Sequence, residues 1–145
     1  MAKDLSALAR IMDQYATRVE RNGPLVVRIV AKAIAPTLVY STPIDTSRAR
    51  LNWQAAIGSV PSGTLFDKPD KPPSPAYGAV TAINAILATA ATYAGGSYLA
   101  IANNLSYIQK LNDGYSAQAP KAFVQQAVAT GIRSLRSFRI LRNGN

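Results

Sequence analysis

The chain contains no cysteine and no histidine. The first absence removes disulfides and thiol chemistry. Together they remove Cys/His zinc sites, and the second removes every histidine-based triad or general base. Acids are also scarce, with 7 Asp and Glu among 145 residues. An all-carboxylate site would have to come from those few. Asp67 and Asp70 alternate with Lys68 and Lys71 in a proline-rich stretch, and Asp45 precedes Thr46. The first pair reads as a solvated loop and the second as a turn cap. Phosphate-binding glycine loops and nucleophile elbows are missing too. The sequence therefore predicts a non-enzyme with no cofactor and no metal. The first residues carry no apolar signal segment, and the 77–102 stretch, rich in Ala, Thr, Asn and Gly, is too polar for a membrane span. The expectation is a protein made in the cytoplasm with no membrane partner.

Positive charge is abundant. Sixteen Lys and Arg give a formal net charge of +9. Residues 121–145 hold Lys121, Arg133, Arg136, Arg139 and Arg142 and no acid, so more than half of the excess lies there. Such a segment suits phosphate or an acidic protein surface. No stacking aromatics interleave with it except Phe138, and no DNA-reading module is legible.

A hydrophobic content of 48% over this length predicts one domain, residues 1–145, with its own core. Leu5, Leu8, Met12, Tyr15 and Val19 recur at spacings of 3 and 4, which predicts an amphipathic helix. Asn22-Gly23-Pro24 interrupts it, and Val26, Ile29 and Ala33 resume the phase. This predicts one long kinked helix over 1–36, ending near Pro36. Residues 42–47 form a turn cluster. The alternation of Arg50, Leu51, Asn52 and Trp53 predicts a strand over 49–59. Five prolines make 61–75 a loop. Val80, Ile83, Leu87 and Ala90 predict a helix over 77–93, ended by Gly95-Gly96. A strand follows at 97–103, closed by Asn103 and Asn104. A short helix runs over 106–112 with Ser106 as N-cap. Pro120 opens a last helix. Its arginines, every third residue from Arg133 to Arg142, sweep about 60° per step; residues 136–145 read equally as a basic arm.

Two stretches rise above composition. One is Pro43-Ile44-Asp45-Thr46-Ser47-Arg48-Ala49-Arg50-Leu51-Asn52-Trp53. The other runs from Tyr98 through Asn103, Asn104, Tyr107, Lys110 and Leu111 to Gly114-Tyr115-Ser116-Ala117-Gln118-Ala119-Pro120. In this order and spacing they resemble the neck and tail-completion (head–tail joining) proteins of tailed bacteriophages, minor tail protein Z-like chains included. Ser47 stands where that pattern carries glycine, so a positive φ there would strain it.

The resemblance implies an α+β fold: a long kinked N-terminal helix and a C-terminal helix on a small antiparallel sheet, with a helix inserted mid-chain. A third strand would come from 38–44, from 136–142 or from a neighbouring subunit. It implies a virion protein, assembled in the host cytoplasm into a homo-oligomeric ring that contacts connector or adaptor and tail-tube proteins, near packaged DNA. Candidate interface residues are Arg48, Arg50, Asn103, Asn104, Lys68, Lys71, Arg133, Arg136, Arg139 and Arg142. The competing expectation is a nucleic-acid-binding module that uses the arginine-rich C-terminus.

Overall fold

The computed structural model describes residues 2–44, 47–65, 75–136 and 138. Five α-helices and two strands follow one another as α1 Ala2–Ser41, α2 Arg48–Leu51, β1 Trp53–Ile57, α3 Pro75–Ala91, β2 Leu99–Asn103, α4 Ile108–Asn112 and α5 Phe123–Arg133. The fold is α+β, as expected. β1 and β2 pair antiparallel, with Trp53 opposite Asn103 and Ile57 opposite Leu99.

One core joins these elements. Ala35, Leu38 and Val39 of α1 meet Trp53 of β1, Ala79, Ala82, Ile83 and Ile86 of α3, and Phe123 and Ala127 of α5. The alanines let helices approach closely, so α1 carries both α3 and α5. The buried stripe of α3 is Ala79, Ala82, Ile83, Ile86 and Ala90, while Val80 lies outside it and is exposed. Ile83, Ile86 and Ala90 of the expected stripe are thus buried and Leu87 packs against the core, while Ala79 takes the place of Val80.

α1 runs unbroken through Pro24 and Pro36. Each proline removes a backbone donor and costs about 3 kcal/mol inside an isolated helix. Packing outweighs that cost here. Arg28 donates from Nε and Nη2 to the Tyr93 carbonyl, at 3.1 and 2.7 Å, and clamps the Pro24 region to the 93–97 turn. Beyond Pro36, Leu38 and Val39 are core residues, so the helix continues to Ser41 rather than ending at 36. One 18-residue window of α1 has a mean hydropathy of 1.4 and is 22% buried, enough by length and composition to cross a membrane. Core helices pass the same test.

Three further boundaries differ from expectation. Arg48–Leu51 is a helical turn, and the strand starts at Trp53. The helical turn still buries Leu51, and the strand buries Trp53. β2 ends at Asn103, as expected. α4 starts at Ile108, with Tyr107 and not Ser106 at its N-cap. α5 starts at Phe123, after a left-handed Ala122 (φ 60°), so Pro120 precedes the helix. The first free amides of α5 are met by Asn112 instead. Its Oδ1 accepts from Val124 N at 2.9 Å and its carbonyl from Ala122 N at 2.6 Å. Residues 38–41 are helical, so they supply no third strand. Most of 136–142 lies outside the described residues.

Candidate interface

The two singled-out stretches meet in space at the C-terminus of α1. A helix ends with carbonyls that have no partner within it. Here the following residues supply partners. Thr42 Oγ1 donates to Leu38 O at 2.8 Å, and Thr42 N donates to Val39 O at 3.2 Å. Arg50 Nη2 donates to Tyr40 O and its Nε to Thr42 O, both at 2.9 Å. A guanidinium also suits the negative end of the helix dipole. Trp53 Nε1 donates to Thr42 Oγ1 at 2.9 Å, so the same hydroxyl links helix end and sheet. Burial pushes the Arg50 pKa down, and the neighbouring Tyr40 opposes the shift.

The asparagines complete the junction. Asn52 is fully buried; its Nδ2 donates to Arg48 O at 2.8 Å and its Oδ1 accepts from Leu65 N at 2.7 Å. Asn103 Nδ2 donates to Ala49 O at 2.8 Å, and Asn103 Oδ1 accepts from Leu105 N at 3.2 Å. Asn104 Nδ2 reaches Pro61 O at 2.9 Å and Gly63 O at 3.0 Å, fastening the start of the proline-rich loop. Gln118 Oε1 accepts from Ile44 N at 2.9 Å. Residues up to 74 positions apart in sequence are thus held together at this junction.

This changes the standing of several candidates. Arg50 is buried in the junction and caps α1; it does not stand at an exposed strand start. Asn103 and Asn104 bond backbone across the junction. Arg48 is half-buried, with Cζ 5.9 Å from the centroid of the Tyr107 ring. Tyr107 in turn lines a cleft of about 320 Å³ with Pro43, Ile44, Ala49, Leu111, Ser116 and Gln118. None of these lining residues is an acid. Tyr115 is 81% exposed and does not pack α4 onto the sheet. Arg133 ends α5 and is exposed, and Arg136 lies beyond the helix, also exposed. Of the two described arginines of the sweep, Arg133 lies on the helix and Arg136 does not. Lys68, Lys71, Arg139 and Arg142, with Asp45, Asp67 and Asp70, lie outside the described residues. Among the described residues no three Asp or Glu side chains gather to hold a metal ion.

Ser47 shows the expected strain. It adopts φ 61°, ψ 0° just before α2, and its buried Oγ has no hydrogen-bond partner. A left-handed conformation costs a side-chain-bearing residue about 1–2 kcal/mol, and an unsatisfied buried hydroxyl costs about 1–3 kcal/mol. Glycine removes both, against an entropic loss of about 1 kcal/mol. Ser47→Gly is expected to raise stability by about 1–2 kcal/mol, read from urea denaturation midpoints at constant m-value.

The surface that sequence reading left inside the fold is the N-terminal half of α1. Leu5, Leu8, Ile11, Met12, Tyr15 and Val19 are each 45–68% exposed. Between residues 5 and 21 only Ala7 and Arg18 are even half-buried. The 3-4 spacing was legible, but not that this chain's own core fails to cover it. A second apolar surface, a groove of about 370 Å³, lies between α1 and β2 and is lined by Val26, Val30, Ile34, Tyr98, Leu99 and Ile101.

Comparison with protein-family models, with curated proteins and with solved structures finds no match to this chain.

Proposed function

We propose that this chain is a structural subunit of a tailed-bacteriophage virion. In this reading it assembles as a homo-oligomeric ring at the head–tail junction, as a tail-completion or head–tail joining protein. The observation that carries the reading is the pair of resembling stretches, which pack together into one hydrogen-bonded junction and so form a single structural unit. The surface adds support of a general kind. Large apolar side chains stand exposed on α1 and beside β2, and contiguous exposed apolar area marks assembly surfaces. The function is then mechanical: the junction holds the helices in register, and the exposed faces meet neighbours.

Negative-stain electron microscopy of lysates from a phage lacking only this chain tests the proposal. Filled heads beside separate tails of normal length are expected. Abnormally long tails would assign it to ending tube growth, and normal infectious particles would overturn the neck assignment.

The nucleic-acid reading draws on Arg133 and Arg136, which are exposed. Titration of random duplex DNA across salt concentrations separates the two. Micromolar binding with a log–log slope of several units supports the nucleic-acid reading. Weak binding with a shallow slope supports protein partners.

A further inference from the structure

We infer that the N-terminal half of α1 is a self-pairing seam, which joins two copies of this chain as an antiparallel helix pair. This inference does not rest on the ring reading. A two-fold contact closes at two copies, so any ring would use other surfaces.

The heptad register comes first. Leu5, Met12 and Val19 fall at one core position of a seven-residue repeat, and Leu8 and Tyr15 at the other. A strict 3-4 alternation is the signature of a coiled-coil seam, narrower than the stripe of a helix packed in a globular core. One flank carries Ala2, Ala9 and Ala16 at intervals of seven. The other carries Ile11 and Arg18, also seven apart. Small residues on one flank let two backbones approach closely.

Area comes second. The six exposed side chains present on the order of 100 Å² each, hence on the order of 600 Å² per copy. That equals or exceeds the largest apolar patch of most monomers, roughly 300–600 Å². Pairing two such faces buries about 1,200 Å², the lower bound of stable interfaces.

Geometry then chooses the orientation. With Leu5 opposite Tyr15 and Leu8 opposite Met12 of the second copy, the helices run antiparallel about an axis near residue 10, and Ile11 falls beside Ile11 of the other copy. The rest of the chain begins to contact α1 at Asn22, which is buried, and Pro24, which lies against Gly95. Antiparallel overlap ends before those positions, so the two bodies lie at opposite ends of the seam. A parallel pair would bring them together at the same end.

The test uses the full chain. Sedimentation equilibrium is expected to give twice the 15.4 kDa chain mass. Leu8→Asp, at an exposed site outside the core, is expected to raise the dissociation constant by about 100-fold or more with an unchanged near-ultraviolet circular dichroism spectrum. The absence of native cysteine permits a second measurement. Leu5→Cys and Tyr15→Cys proteins, mixed and oxidised, are expected to give an interchain disulfide that neither forms alone. A monomeric wild type overturns the inference. So does an assembly whose mass Leu8→Asp leaves unchanged, a disulfide formed by either variant alone, or co-flotation of the wild type with phosphatidylcholine–phosphatidylglycerol vesicles in place of dimer formation.

Discussion

Replacing Arg50 with methionine is expected to lower the unfolding free energy by about 3 kcal/mol. Methionine keeps much of the buried length of the side chain, so the loss reports on hydrogen bonding rather than on a cavity. Two buried or half-buried carbonyls, Tyr40 O and Thr42 O, lose their charged donors at once. Hydrogen bonds to charged groups contribute about 1.5–3 kcal/mol each, and they are not additive within one network. Set against a typical total of about 5–15 kcal/mol, this loss is large. Arg50→Lys is expected to recover less than half of it. A single ammonium on a flexible stem does not reproduce the planar fork that spans both carbonyls. Urea denaturation of both variants checks the order wild type, lysine, methionine. If stability holds while assembly fails, Arg50 acts at an interface and its role as helix cap is wrong.

The same residue shows what the sequence could and could not convey. Arginine followed by alternating apolar residues looked like the start of a strand, because Leu51 and Trp53 are both buried and two apart. Burial at that spacing is also met by a helical turn that leads straight into a strand, and this is what the chain adopts. Pro36 misled for a related reason. A proline marks a helix end only when packing fails to offset its lost hydrogen bond, and Ala35, Leu38 and Val39 lie in the core around it. With α1 ended at 36, the carbonyls of residues 38–42 were not recognisable as helix-end acceptors. Arg50 then had no visible partner and read as an exposed charge. The identity of the junction residues was thus legible, and their role depended on a boundary that local rules could not set. The left-handed Ser47 is the opposite case. The glycine that the resembling pattern carries there marked the position where a positive φ would strain serine, and Ser47 does adopt φ 61°. The seam of α1 lies between the two: its periodicity was plain, but only the three-dimensional arrangement leaves it outside the core.

Gly131→Val is expected to cost about 3 kcal/mol, through the contact between α1 and α5. Propensity alone argues the other way, since glycine inside a helix is about 1 kcal/mol worse than alanine. Sterics decide the sign. A Cβ at residue 131 would sit 2.5 Å from Ile34 Cγ1, 2.9 Å from its Cδ1 and 3.0 Å from Val30 Cγ1. Both neighbours are β-branched and held on α1, so they have few rotamers with which to yield. The helices must separate, and Phe123 and Ala127 on the same face of α5 then lose contact with α1. Shortening the obstacle should restore part of the loss. In a double-mutant cycle, Gly131→Ala and Ile34→Ala are each expected to destabilise, and the pair to be less damaging than the sum by about 1–2 kcal/mol. A coupling near zero would mean that α5 shifts freely on α1, and that close approach at Gly131 is not what fixes their packing.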